Sequence, residues 1–176
     1  MESKLSKICT PYNQIFCILI LILCGIFTSC SAEENISSTN SSIKIIDGDS
    51  LEIGDKRIRL MGIDAPEYEQ LCKNAQKKKY PCGKLSAQYL QKLTKDQEVV
   101  CRVHKKDQYD RDLCTCYVGT TDINREMILS GNAIIYLESP YREEQQEAKA
   151  HKRGLWQGRF MQPRLYRRLK EQQKLN

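Results

Sequence analysis

The alternation of residues 43–60 constrains this chain more than any other stretch. Ile43, Ile45, Leu51, Ile53, Ile58 and Leu60 fall on one face of an extended chain and Lys44, Glu52, Arg57 and Arg59 on the other, the period of half-buried strands. Gly54-Asp55 supplies a two-residue hairpin turn. Counting back from it sets Ile53 opposite Lys56, Ser50 opposite Arg59 and Asp49 opposite Leu60. Asp49 then lies beside the strand that carries Arg59. The loop leaving that strand returns Asp64 and Glu67 to the same end, with Pro66 stiffening the turn between them. Three carboxylates and a guanidinium thus share one rim. Clustered acids repel unless a positive charge holds them, and a hard cation such as calcium takes carboxylate and carbonyl oxygens, so a metal accounts for the cluster economically. Read singly, the same residues have plainer uses: acids cap and solvate turns, Arg59 can pair with Asp49 across the strands, and Glu67 can open a helix.

A second element lies downstream, Asp107-Gln108-Tyr109-Asp110-Arg111, between the strand-like Val99 to Val103 and Leu113 to Val118. Taken in order, D-G-D-S at 47–50, R-L-M-G-I-D-A-P-E at 59–67, D-Q-Y-D-R at 107–111, then Asn124, Gly131 and R-G-L-W at 153–156, the chain resembles the staphylococcal nuclease (thermonuclease) family. The likeness runs from about residue 43 to about residue 156, and it rests on order and spacing together. Alone, the short strands, Gly-containing turns and interspersed helices support an α+β small barrel or sandwich. The resemblance implies a five-stranded oligonucleotide-binding (OB-fold) barrel with about three packed helices.

Position by position, the resemblance implies Asp49 and Asp64 as calcium ligands, with the backbone carbonyl of Ala65 as a third. Glu67 would be the general base or water positioner, Arg59 and Arg111 would grip the scissile phosphate, and Tyr109 would pack by the bound nucleotide. The implied activity is calcium-dependent hydrolysis of DNA and RNA with little sequence preference, favouring unpaired strands and leaving 3′-phosphates. The chemistry agrees with the residue types, since phosphodiester hydrolysis needs a metal, a base and cations on the phosphate oxygens. The chain departs from the family pattern at Ala65, where threonine is frequent, at Asp110, where glycine is common, and at Gln108, where a basic residue is usual. A ligand acting through its main chain survives the first change; the other two make the loop less positive. Tyr136 and Tyr141 are candidate base-stacking platforms. The alternative from another class is a catalytically inactive OB-fold nucleic-acid-binding module, which would be expected to lack these acids and arginines.

Residues 1–30 read as an export signal: Lys4 and Lys7 precede an apolar run, Ile15 to Phe27, that ends in Thr28-Ser29-Cys30. The run falls short of the roughly 20 residues of a transmembrane helix. Phe27-Thr28-Ser29-Cys30 resembles a bacterial lipoprotein box, with Phe27 departing from the usual leucine. Cys30 would then carry the lipid and hold the protein in the bacterial cell envelope; ordinary cleavage after Ala32, giving a secreted protein, is the alternative. The expected organisation is a signal at 1–30, a small, polar, flexible linker at 31–42, a nuclease domain at 43–156 and a basic C-terminal tail at 157–176, in a monomer.

Cysteine use points to an oxidising compartment as well. Cys72 and Cys82 bracket a lysine-rich loop whose closure would contribute about 2–3 kcal/mol. Cys101 and Cys116 sit on the strands flanking 107–111, with Cys114 competing for Cys101 by period-two counting. The resemblance implies the 72/82 and 101/116 pairs, leaving one thiol free. A zinc site is disfavoured by the lack of any C-x-x-C.

Helical spacing marks Gly83 to Thr94, a short helix capped by Asp122 and ended by Gly131, and a helix over 141–153 stopped by Gly154; Ala133 to Leu137 reads as a last strand. Residues 31–140 carry 16 Lys and Arg against 17 Asp and Glu, net −1, whereas 141–176 carry 10 against 4, net +6. The surplus could attract phosphate backbones or anionic lipid; equally, the tail could be a solvated amphipathic segment with Leu165 and Leu169 packed down.

Overall fold

The computed structural model describes residues 34–39 and 41–175; the expected signal with Cys30 lies outside them. In chain order the strands are β1 (Asn35–Ser37), β2 (Ile43–Ile45), β3 (Ser50–Ile53), β4 (Lys56–Leu60), β5 (Ile63–Asp64), β6 (Cys72–Lys73), β7 (Lys79–Tyr80), β8 (Val99–Lys106), β9 (Asp112–Val118), β10 (Thr121–Asp122) and β11 (Ile134–Ile135). The helices are α1 (Cys82–Thr94), α2 (Ile123–Leu129), α3 (Arg142–Ala150) and α4 (Pro163–Leu175), with a 3-10 turn at Gly154–Gln157.

The β3–β4 hairpin has the register counted from its turn: Ile53 faces Lys56 and Ser50 faces Arg59, and Leu60 N–H donates to Asp49 O at 2.8 Å. Gly54 takes φ +60°, the left-handed conformation such a turn requires. β2, β3, β4, β9 and β8 form one curled sheet in that order, with β4 and β9 parallel. These are the five strands expected of the barrel; β1 adds to β8 at one edge and β10 to β9. Leu51, Ile53, Ile58, Leu60, Val99 and Cys116 fill the concave side, and Leu90 of α1 with Ile123, Met127 and Ile128 of α2 close over it.

Four differences from the expected layout stand out. Residues 35–37 are not part of a free linker, because Ile36 buries in the core and Ser38 exchanges bonds with Val99, the Val99 N–H reaching Ser38 Oγ at 2.9 Å. The strand expected over 133–137 shrinks to β11, which pairs with β5. The third helix, expected over 141–153, spans Arg142–Ala150. Finally, the basic tail forms α4, and Leu165 and Leu169 are not packed down but 46% and 39% exposed.

Cys72–Cys82 and Cys101–Cys116 are disulfide-bonded and Cys114 is a buried free thiol. Register decides the competition for Cys101, since Cys116 stands directly opposite it across β8 and β9 while Cys114 faces Val103.

Candidate active site

Asp49 enters the site from the residue before β3, almost wholly buried, and both its oxygens are bonded. Oδ1 accepts from Arg59 Nη1 at 2.6 Å and Ser50 Oγ at 2.9 Å, and Oδ2 accepts from Ala65 N–H at 2.6 Å. Arg59, one strand over, also donates from Nη2 to Asp64 Oδ1 at 3.0 Å. Burial works against its charge, and Asp49 and Asp64 outweigh that, holding the guanidinium protonated beyond its ordinary range. Asp64 is aimed by β5, whose partner strand sets Ile134 opposite it. Burial and the charge of Asp49 raise the Asp64 carboxyl, while bonds and charge from the arginines oppose them.

Glu67 follows on a loop that is tightly located. Its N–H donates to Oε1 of the fully buried Gln70 at 3.3 Å, and Gln70 Nε2 donates to Met161 O at 2.8 Å. Gly83 of α1 lies so close that a Cβ there would sit 1.7 Å from Glu67 O, so the helix backbone itself backs the loop.

Across a cleft of about 690 Å³ stand Tyr109 and Arg111 on the β8–β9 loop, with Tyr136 beside them. Asp107 grips Arg111 through Nε at 2.8 Å and Nη2 at 2.7 Å, and its other oxygen accepts the Arg111 and Tyr109 N–H groups. The Arg111 guanidinium lies 5.5 Å from the centre of the exposed Tyr109 ring. Asp110, where the resembled family has glycine, takes φ +59°, a conformation aspartate tolerates better than most side chains. Tyr141 is no stacking platform: it is buried and its hydroxyl donates to Asp122 Oδ2 at 2.9 Å.

Two members of the site escaped the sequence reading. Asp47 lies on the same cleft, its carboxyl pushed up to about 7 by burial, then by Asp49 and Glu67. Arg167 of α4 donates from Nη1 to Glu67 Oε1 and from Nη2 to Asp64 Oδ1, both at 2.8 Å. Asp47 was visible in the D-G-D-S motif; Arg167 looked like any other arginine of a basic tail.

Four carboxylates, Asp47, Asp49, Asp64 and Glu67, therefore meet two guanidiniums, Arg59 and Arg167. The acids outnumber the guanidiniums four to two. Oxygen donors with excess negative charge fit a hard divalent cation. In their present positions no three acidic, histidine or cysteine side chains among the described residues converge as a ready-made cage. The arginines take up the oxygens that a cation would use.

A family model described as "Staphylococcal nuclease homologue" matches residues 57–158, more than half of the chain. The chain belongs to the staphylococcal nuclease family. Relatives span the group: an uncharacterized endonuclease of Haemophilus influenzae is 31% identical, with 93% of this chain and 89% of the relative covered. The succinoglycan biosynthesis protein ExoI of Rhizobium meliloti is 37% identical over 64% of this chain and 61% of its own length. A probable endonuclease lcl3 of Botryotinia fuckeliana is 30% identical over 70% and 52%. The chain thus spans between half and two thirds of the length of these last two. Membership fits the architecture, with the hairpin acids and the β8–β9 loop at one end of the curled sheet.

Proposed function

We propose that this protein is a calcium-dependent nuclease that hydrolyses phosphodiester bonds of single-stranded or unpaired DNA and RNA with little sequence preference. The observation that carries the reading is the juxtaposition of Glu67 and Arg59, with the buried Asp64 bonded behind Arg59, on one wall of a cleft and Arg111 and Tyr109 on the other. Asp49, Asp64 and the Ala65 carbonyl would hold the cation, with Asp47 adding charge. Calcium, when bound, supplies positive charge that offsets the negative charge building on the phosphate.

The side chains do the rest. Glu67, a carboxylate at the cleft surface on a loop fixed by Gln70 and α1, accepts the proton of the attacking water. Arg59 and Arg111 present planar forks to the phosphate oxygens, and removing either is expected to cost about 10²- to 10³-fold in rate. Asp49 anchors Arg59 and the Ala65 peptide at once, so it aligns the phosphate grip with the cation ligands. Tyr109, exposed at the cleft mouth, offers a face on which any base can stack, which suits unpaired strands.

Two disulfides favour an oxidising compartment, and residues 1–30 read as a leader ending at Cys30, so we place the protein outside the cytoplasm, lipid-anchored in the envelope. The test of function is incubation of the purified protein with single-stranded DNA, duplex DNA and RNA in calcium or EDTA. Cleavage of the single strands in calcium and none in EDTA is expected. DNA that is bound yet stays intact in calcium would instead identify a binding module.

A further inference from the structure

α4 meets the active site chiefly through charge. Arg167 reaches Asp64 and Glu67 at 2.8 Å each, and one turn on, Lys170 pairs with Glu69. Its leucines contribute little, since Leu165 and Leu169 face solvent. Upstream the chain is pinned by the Gln70 bond to Met161 O and by the buried Pro163, so the start of the helix is fixed while its middle is held by ion pairs. Arg164, Arg167 and Glu171 lie at helical spacing along the same cleft that Arg59 and Arg111 line.

The Asp64 carboxylate that Arg167 occupies is one the nuclease reading assigns to a cation, and its Oδ1, the oxygen Arg167 reaches, already accepts from Arg59. A divalent ion on that carboxylate and a guanidinium 2.8 Å from one of its oxygens repel each other, so a cation competes with Arg167, the more exposed of its two arginine partners. A displaced Arg167 remains tethered by Pro163 beside the cleft, where a bound substrate presents its phosphate backbone alongside the Asp47 and Glu171 carboxylates. Its planar fork suits a phosphodiester as well as it suits Asp64 and Glu67.

We propose that Arg167 is a substrate-binding residue, a third active-site guanidinium that is held on Asp64 and Glu67 until a divalent cation takes its place and is then transferred to the nucleic-acid backbone. The tail of the chain is thereby part of the site, and it couples cation binding to substrate binding. Free cation competes with Arg167 and binds less tightly for it; bound cation loosens Arg167 to hold phosphate. The inference rests on the nuclease reading, so its test uses binding rather than turnover.

Calcium affinity is measured by calorimetry on the wild type, Arg167→Ala, Arg167→Lys and the exposed neighbour control Arg168→Ala. Affinity for a phosphorothioate oligothymidylate, shown by electrophoresis to stay intact, is then measured in saturating calcium. Arg167→Ala is expected to bind calcium about tenfold more tightly and the oligonucleotide about tenfold more weakly, each the effect of one charge-assisted pair. Arg167→Lys, which keeps the charge and the fold but loses the fork, is expected to lie between. Arg168→Ala should match the wild type in calcium. Calcium affinity that is unchanged or weaker in Arg167→Ala would overturn the proposal. So would tighter calcium binding with oligonucleotide affinity no lower than that of Arg168→Ala, which would make Arg167 a blocking group only. A wild type that binds no calcium would remove the nuclease reading and this inference together, whereas either of the preceding results leaves that reading in place.

Discussion

Asp107 decides where Arg111 points. Burial works to raise its carboxyl, but the Arg111 N–H and guanidinium and the Tyr109 N–H hold it below the ordinary aspartate value. A depressed folded value contributes stability that is complete above the unfolded pKa and lost as pH falls through the folded one. The Tm of the wild type should therefore fall as pH drops below about 4, the unfolded aspartate value. Asp107→Asn should flatten that part of the profile in calorimetry, and an unchanged acid limb would show that Asp107 does not order the loop. Asp107→Asn should also weaken substrate binding, because Arg111 loses the carboxylate that aims it. At this scale the site was partly legible. The Arg59–Asp49 pair follows from counting back along a hairpin whose turn is written in Gly54-Asp55. Arg167 was not legible, because a contact with Glu67 across 100 residues of chain leaves no period or spacing in the sequence.

α2 is fastened to the sheet by one buried side chain. Asn124 accepts the Cys116 N–H at 3.1 Å and donates to Met61 O and Cys114 O at 3.0 Å, joining the helix to β9 and to the chain between β4 and β5. Asn124→Ala would strand the Cys116 N–H and the Met61 carbonyl, while Cys114 O keeps the Met61 N–H, at a cost of about 2 kcal/mol by the usual penalty for unsatisfied polar atoms. Urea unfolding should show the midpoint falling with little change in slope. A loss below about 1 kcal/mol would mean that water replaces the amide. Elements with strong periodicity or caps were readable in advance: the hairpin, α1, and α2 between Asp122 and Gly131. Those missed are defined by tertiary pairing instead. β1 offers a single buried apolar residue, Ile36, in a polar stretch, and its place comes from backbone bonds to β8. β11 is cut short because only Ile134 and Ile135 find partners on β5.

The described residues form a barrel-like sheet with its acids at one end, tied by disulfides at two places and flanked by a basic helix. Cys72–Cys82 ties the β6–β7 excursion to the start of α1, next to the Gln70 that positions Glu67, and Cys101–Cys116 lies in the core. Reduction should lower stability by about 2–4 kcal/mol for each bond. A scan in reductant should thus show Tm falling by roughly 10 °C or more. Cys114 should stay unreactive to alkylation in the folded, oxidised protein, since burial, with Asp112 and Glu34 nearby, pushes its thiol up to about 12. The fold class was legible from alternation and motif order together. The role of the basic C-terminal residues was not, because net charge does not say which arginine turns inward. The most direct measurement is the rate of single-stranded DNA cleavage by wild type and Glu67→Gln, each in calcium and in EDTA. The wild type should cleave only in calcium, and Glu67→Gln, still folded and still binding calcium, should be slower by about 10²- to 10⁴-fold, as expected for removal of a general base. Cleavage in EDTA, or a Glu67→Gln variant as fast as the wild type, would contradict the assignment of the site.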